Sequence, residues 1–580
     1  MNEPLPQNVK RLTYHAPRFT PYVLLLPSAV FLLLFYFYPL AAILGESFAR
    51  ADHVFAPFLT ALTSARVWRT LGFTIYQATL STVLTLLVGL PGAYILARYR
   101  FPGQSLLRAL TAVPFVLPTL VVAAGFNALL GPRGWVNLGW MAAFNLPTPP
   151  IQFVNTFGAI LIAHVFYNTT IVLRLVGDFW SRLDPRLEAA ARVLGADSWR
   201  AFRAVTLPLL APAIAAAALL VFIFNFTSFG VILVLGGPRF ATLEVEIYRQ
   251  TIALFNLPLA AVLSLLQLLC TLGLALLYAR LSARLTLPLT FKPQTLTRRP
   301  LTSWRAKIGV SVIALSLALL LIAPLAALAL RSVTRLDPER GQSGPVPIGL
   351  TLDYYRELLL NRRNSLFYVP PIEAIGNSLT IAGITVALAL ALGVPTAWAL
   401  AQSRHRRVTA WFDALILLPL GTSPVTLGLG FIVALDTPPL DLRASPWLLP
   451  LAHTLVAFPF VVRSLTPALR SLKPRLRQAA ALLGASPLRA WREVELPLLG
   501  RAVLVAAAFA FTVSLGEFGA TALLARPEHP TVPVAIYRFL GLPGALNYGQ
   551  ALALSTLLML TCAVCIAAIE RFRIGDLGEF

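Results

Sequence analysis

Long apolar runs, separated by short polar segments, follow one another along the whole chain. The hydrocarbon core of a bilayer takes about 20 apolar residues per helix. Runs of that length begin near Tyr22, Leu71, Leu106, Asn155, Pro208 and Pro258, and again near Ile308, Gly376, Trp411, Pro446, Pro497 and Gly549. The pattern predicts an all-α integral membrane protein with about twelve transmembrane helices in two sets of six. Pro91, Pro118, Pro395 and Pro424 fall inside these runs. Membrane helices accept proline where neighbours satisfy the freed backbone groups, so each run is read as one span. The first run is too long for the core of a signal peptide and has no convincing cleavage site, so it is read as a retained span.

Composition removes the other classes. Of 580 residues 57% are hydrophobic, mean hydropathy is +0.75, and charged residues make up 12%. That is about half the charge of a soluble domain, and disordered chains are poor in apolar residues. The charge that remains is lopsided, with 47 Lys+Arg against 24 Asp+Glu and a net charge of +23. With the N-terminus inside, about 32 of the 47 basic residues fall in or beside the cytoplasmic segments, as the positive-inside rule demands. Both termini are therefore predicted to be cytoplasmic. The partner of this charge is the lipid bilayer and its inner face, and it makes no claim on nucleic acid. Cys270, Cys562 and Cys565 lie inside apolar runs and read as small apolar fillers. No HExxH and no Cys/His cluster is present, so no metal site is assigned.

The chain also repeats itself. Residues 183–214, LDPRLEAAARVLGADSWRAFRAVTLPLLAPAI, realign 289 positions later with LKPRLRQAAALLGASPLRAWREVELPLLGRAV. The same offset pairs His164 with His453, Phe229-Gly230 with Phe518-Gly519, and Ile247-Tyr248-Arg249 with Ile536-Tyr537-Arg538. Nearer the start of each half the offset is 304 or 305, pairing Gly89/Pro91 with Gly393/Pro395. The difference fits a longer external loop at about 131–150 in the first half. Two parallel six-helix repeats result, related by an axis along the membrane normal. The division is a first repeat at 1–280, a cytoplasmic linker at 281–307 and a second repeat at 308–580.

The longest shared segment joins the fourth and fifth spans of each half. It reads as two short helices around Gly195 or Gly484, glycine suiting a left-handed turn. Asp197 and Ser486 suit the N-cap of the second helix. That helix presents Trp199 and Phe202 on one face, Leu488 and Trp491 in the copy, beside Arg200/Arg203 and Arg489/Arg492. Pro208 and Pro497 mark return to the membrane. An amphipathic helix resting on lipid headgroups would account for this pattern. So would an apolar-tipped knob docked in a cytoplasmic partner, and two equivalent knobs imply two equivalent receptors.

These loops resemble the EAA loop of permease subunits of binding-protein-dependent ABC importers, which runs from EAA through glycine to a hydrophobic–x–Leu–Pro ending. Ala189-Ala190-Ala191, Gly195 and Thr206-Leu207-Pro208 fall on it, as do Gln478-Ala479-Ala480, Gly484 and Glu495-Leu496-Pro497. The motif glutamate is missing from both copies: Glu188 stands one residue early in the first and Arg477 holds that place in the second. The resemblance extends to both halves and implies the type I ABC importer permease fold, in the fused double-permease form of the thiamine and ferric-iron subfamily. FTSFGVILVLGGPRFATLEVEIYR and LGEFGATALL…TVPVAIYR look most like the thiamine type, with thiamine or its phosphate esters as substrate and ferric iron the alternative. The chain has no GxxxxGK[ST] phosphate loop, so it is read as a transport subunit with no catalytic residues and no cofactor of its own. The resemblance implies two copies of a cytoplasmic ATPase carrying ATP and Mg, an external or periplasmic binding protein, and a place in the inner membrane. An ion-coupled secondary transporter of six plus six spans is the reading from another class.

Several residues are candidates for the translocation pathway. Glu517 is an ionisable side chain in a span, which by default points to function; its counterpart is Ser228. It reads either as a cavity-lining carboxylate for a cation or as a structural carboxylate between helices. Asn225, Phe229 and Phe518 lie beside these positions. His164 and His453 fit either a helix-to-helix hydrogen bond or a substrate contact. Glu244 and Glu246, in an external segment, read as contacts to the binding protein or as surface pairs.

Overall fold

The computed structural model describes residues 20–49, 63–283, 298–335, 349–360, 370–403, 406–436, 440–472 and 474–572. Both termini, and most of the linker, lie outside the described residues. In the first half the helices are α1 (Tyr22–Gly45), α2 (Ala65–Arg98), α3 (Gln104–Val116), α4 (Thr119–Leu130), α5 (Trp135–Phe144), α6 (Phe157–Arg182), α7 (Pro185–Val193), α8 (Ser198–Phe226), α9 (Leu243–Tyr248) and α10 (Leu257–Ala283). The second half has α11 (Trp304–Ser332), α12 (Pro371–Gln402), α13 (Arg406–Gly421), α14 (Pro424–Ala434), α15 (Leu448–Ser471), α16 (Pro474–Leu482), α17 (Trp491–Gly516), α18 (Gly519–Leu524), α19 (Val532–Gly541) and α20 (Ala545–Phe572).

All twelve apolar runs are helical. Ten are continuous helices long and apolar enough to cross a bilayer, among the described residues. The third run of each half is instead broken, into α3 and α4 and into α13 and α14, whose bent pair turns by 94°. The prolines explain the difference. Pro91 and Pro395 sit within continuous α2 and α12. Leu117, before Pro118, is extended (ψ 136°), the conformation a following proline favours. Ser423 caps the backbone N–H groups of Val425 and Thr426, and Pro424 opens the new helix. The longer loop of the first half folds as α5, held by Asn137 Nδ2 donating to the carbonyls of Gly131 (2.8 Å) and Ile151 (2.9 Å).

The described residues pack as two compact units that each draw on both halves of the sequence. One takes the described residues within 1–42, 375–525 and 561–580; the other takes those within 43–374 and 526–560. In the first unit α1 lies on second-half helices, with Phe31, Leu32 and Tyr36 in one core with Phe431, Phe458 and Val461. Its polar anchors are Ser28 Oγ, donating to the Leu392 carbonyl (3.3 Å), and the Tyr36 hydroxyl bonded to that of Thr422 (2.7 Å). In the second unit α11 lies on first-half helices: Leu317 packs with Val172, Leu173 and Val176, and Trp135 Nε1 donates to the Ala327 carbonyl (3.2 Å). The first span of each half is thus exchanged onto helices of the other.

The paired glycines of α2 and α12 have one reason. A Cβ on Gly89 would sit 2.7 Å from Val172 Cβ, and one on Gly393 would sit 2.5 Å from Val461 Cγ1. Val172 and Val461 are themselves repeat equivalents, so the second and fourth spans of each half approach to backbone distance at the same place. Small residues permit this contact between membrane helices, where dispersion drives association.

Candidate functional site

The two repeated loops fold alike. α7 begins at Pro185 with the Asp184 carboxylate accepting from Arg186 N–H (3.0 Å). It ends at Gly195, φ +94°, where Gly195 N–H donates to Arg192 and Ala196 N–H to Ala191. Gly484, φ +80°, repeats this with Gly484 N–H to Ala481 and Ala485 N–H to Ala480. Both are Schellman closures, which need a residue tolerant of the left-handed region. The two N-caps follow as read: Asp197 accepts from Arg200 N–H (2.7 Å) and Ser486 from Arg489 N–H (3.3 Å).

Two features differ from the sequence reading. The second short helix does not stop before the membrane. It runs on through Pro208 and Pro497 into the fifth span, by π-helical stretches at Phe202–Thr206 and Trp491–Glu495. Leu207 N–H donates to Phe202 and Leu496 N–H to Trp491; widening the turn just before the proline accommodates its missing N–H. The second short helix and the fifth span are therefore one continuous helix. Glu188 is also engaged, accepting from the Thr206 hydroxyl (3.4 Å) and facing Arg98 Nη2 (3.9 Å) at the end of α2.

The loop tips are apolar and open. Val193, Leu194 and Trp199 are 87%, 88% and 67% exposed, and Leu482 and Leu483 are 68% and 88% exposed. Phe202 is half-buried, stacked on Trp199 (5.8 Å) and packed against Trp180 (6.1 Å), and Trp491 is half-buried. Arg200, Arg203, Arg489 and Arg492 are exposed around them; Arg489 pairs with Glu493 (3.0 Å). The Leu488 side chain lies outside the described residues. Sequence reasoning passed over Val193-Leu194 and Leu482-Leu483, which precede each glycine. Two adjacent apolar residues at a predicted helix C-terminus cannot both face one core, and that was the available signal.

The pathway candidates gather in two equivalent polar clusters. In the first half His164 is bonded through Nδ1 to Ser81 Oγ (3.0 Å) and through Nε2 to Ser228 Oγ (2.8 Å). Below it Asn168 Nδ2 donates to Asn225 Oδ1 (2.7 Å), and Gln77 Nε2 donates to the Asn225 carbonyl (2.8 Å). In the second half His453 is bonded through Nδ1 to Ser514 Oγ and through Nε2 to Thr521 Oγ1, both at 2.8 Å. Both histidines are helix-to-helix hydrogen-bonding residues in this structure.

Glu517 is buried, and its carboxylate accepts from the backbone N–H groups of Ala520 (2.9 Å) and Thr521 (3.0 Å) and from the Thr521 hydroxyl, with His453 Nε2 at 3.4 Å. It closes the first turn of α18, so its geometry is that of a structural carboxylate. Phe518 is buried beside it, and Phe229 is buried against Tyr248 (5.3 Å). Glu244 and Glu246 are buried too. Gln267 Nε2 donates to Glu244, while Glu246 accepts from Gln250 (2.7 Å) and pairs with Arg66 (3.1 Å). The sequence reading had placed both in an external loop; the short helix α9 turns them inward instead. The repeated Ile-Tyr-Arg segments hold one further arrangement. Tyr248 and Tyr537, equivalent by the repeat and in the same unit, lie close enough for their phenols to act on one another electrostatically.

Each half thus presents one exposed loop and one buried polar cluster. The sequence model of the family described as "Binding-protein-dependent transport system inner membrane component" matches twice, at 89–287 and 389–574. The chain belongs to that family. It is a permease of the ABC importer class, whose members lack an ATPase site of their own and work with ATPase and substrate-binding-protein partners. The ion-coupled alternative gives way to this assignment. Among full-length relatives, "Thiamine transport system permease protein ThiP" of Escherichia coli is 28% identical over 87% of this chain and 89% of its own. The ThiP of Brucella abortus is 30% identical over 87% of this chain and 88% of its own. "Probable ABC transporter permease protein y4fN" of Sinorhizobium fredii is 29% identical over 89% of this chain and 90% of its own. A chain in the crystal structure of a bacterial ABC transporter involved in the import of the acidic polysaccharide alginate aligns at 20% identity and a TM-score of 0.40, over 48% of this permease and 98% of that chain.

Proposed function

We propose that this permease imports thiamine or its phosphate esters, driven by two copies of a cytoplasmic ATPase and supplied by an external binding protein. The substrate reading is supported by the thiamine-system permeases that align over most of the chain. The coupling reading is carried by the exposed apolar tips at 193–199 and 482–483, repeated in two loops of the same fold. Left in water, such tips cost about 25 cal/mol per Å² of apolar surface that a partner would cover. The concentration of positive charge on that side supports a cytoplasmic position for the loops, cytoplasmic termini and residence in the inner membrane.

On this reading each ATPase grips one loop through its apolar tip, with Arg200/Arg203 or Arg489/Arg492 at the rim. ATP binding brings the two ATPases together. Because α8 and α17 are continuous with the loops, that motion is passed directly to the fifth spans, and the helices switch between two packings. The test is ATP-driven uptake of labelled thiamine by proteoliposomes containing the permease, its ATPase and the binding protein encoded beside it. Thiamine accumulation that requires all three supports the proposal. Accumulation of ferric iron instead, with none of thiamine, would reassign the substrate.

A further inference from the structure

A concentration of arginine lies away from the coupling tips, at the end of α2. The last turn of α2 runs into the strand β1 (Tyr99–Arg100), which pairs in parallel with β2 (Arg299–Pro300) of the linker, Tyr99 against Arg299 and Arg100 against Pro300. Gln104 Nε2 donates to the Leu96 and Tyr99 carbonyls (3.0 Å each), and Arg108 Nη2 donates to Leu96 (3.2 Å). This strand pairing draws together Arg98, Arg100, Arg108, Arg298 and Arg299. Arg98 is close enough to feel Arg299, and Arg298 to feel both Arg108 and Arg100. Burial, then the neighbouring Arg108 and Arg100, holds the Arg298 guanidinium below its ordinary value.

Carboxylates near this group include Glu188 and Asp184 by Arg98 and Asp178 by Arg298. Among the groups named here, guanidiniums outnumber carboxylates five to three. Its surroundings are those of a membrane boundary: Tyr94 packs on Trp180 (5.2 Å) and on Tyr99 (5.6 Å), and Trp304 is largely exposed just beyond β2. Such aromatic residues gather at headgroup level. Along α2, towards the hydrocarbon, Tyr76, Val83, Leu87 and Tyr94 are exposed at helical spacing on one face.

We propose that this cluster holds the phosphate of an anionic phospholipid, its acyl chains lying along the Tyr94–Leu87–Val83 face of α2. Guanidinium groups match phosphate oxygens in geometry and charge, and basic pockets beside membrane helices take anionic headgroups. Among the described residues the arrangement occurs once. Gln402 replaces Arg98 in the second half, and β2 comes from the linker, which has no second copy. Lipid bound here ties the linker to the first half at the foot of α2, beside the Arg98–Glu188 contact.

The experiment uses full-length permease in neutral phosphatidylcholine nanodiscs. It reads the thermal midpoint as phosphatidylglycerol is titrated in, and the lipid retained in native mass spectrometry. Arg298→Gln/Arg299→Gln is compared with wild type, with Arg299→Gln alone covering any folding defect of the pair, and with Arg239→Gln as a distant control. Each arginine near the surface contributes about fivefold in affinity for anionic lipid. The double variant should therefore need roughly 25-fold more phosphatidylglycerol for the same shift and should lose retained lipid, while Arg239→Gln behaves as wild type. Inorganic phosphate should give no shift. Equal titrations for wild type and variants, an equal shift with phosphatidylcholine of matched chains, or full reproduction of the shift by inorganic phosphate would each overturn the proposal.

Discussion

Replacing Glu517 by glutamine separates a structural carboxylate from a substrate contact. The carboxylate holds two backbone N–H groups, one on each oxygen, at 2.9 and 3.0 Å, as well as the Thr521 hydroxyl and His453 Nε2. Glutamine keeps one acceptor oxygen and presents an NH2 group to whichever N–H the other oxygen served. At least one charge-assisted bond is lost, worth about 1.5–3 kcal/mol, and one buried N–H is left unmet at about 1–3 kcal/mol. These terms overlap, so a loss of about 2–4 kcal/mol is expected, about 30- to 1,000-fold in the folded-to-unfolded ratio. Scanning fluorimetry of purified protein, run beside uptake in proteoliposomes, reads both properties. Glu517→Gln should lower the thermal midpoint and reduce uptake in proportion to folded protein. Ser228→Ala at the equivalent position removes one neutral bond to His164 and should cost only about 1 kcal/mol. A Glu517→Gln protein of full thermal stability that no longer transports would refute the structural assignment and return the carboxylate to the pathway.

Other consequences follow from single contacts. Gly393→Val should destabilise the protein by about 1–3 kcal/mol through overpacking against Val461, whereas Gly383→Ala, with nothing within 4 Å of the added carbon, should leave the thermal midpoint unchanged. Gly195→Ala places an L side chain at φ +94°, a strain of about 1–2 kcal/mol; it should weaken co-purification of the ATPase while the thermal midpoint of the membrane helices holds. In a background free of Cys270, Cys562 and Cys565, Tyr248→Cys with Tyr537→Cys should be joined by a flexible bifunctional thiol reagent, because the phenols lie close enough to act on one another. If these segments separate during transport, the joined protein should stop importing, and unimpaired uptake after complete joining would show that they do not.

Much of this is legible in the sequence alone. Apolar run length located the helices, because backbone groups in lipid leave few alternatives to a helix. The repeat, with glycine and Asp197 or Ser486 at fixed places, gave the loops, since Schellman closures and N-caps are local chemistry. Three things escaped. Proline content alone did not separate Pro91, inside a helix, from Pro424, which starts one; the preceding Ser423 as a cap was the missing clue. The exchange of α1 and α11 onto helices of the other half leaves no trace in hydropathy, which records burial in lipid or protein alike. Glu517 and the two histidines were located in sequence without their partners, and only the fold brings Thr521, Ser514 and Ser81 to them.

The most direct test of the account addresses the loop tips themselves. Leu194→Asp and Leu483→Asp place a charge on each exposed apolar tip without touching a membrane helix. Binding of the purified permease to its ATPase is measured together with ATP-driven uptake in proteoliposomes. Apolar anchors at the centre of an interface are worth about 2 kcal/mol or more each. The account therefore predicts at least about 30-fold weaker ATPase binding for each variant and loss of uptake in the pair, with thermal stability unchanged. Full ATPase binding and full uptake by the doubly substituted protein would contradict it.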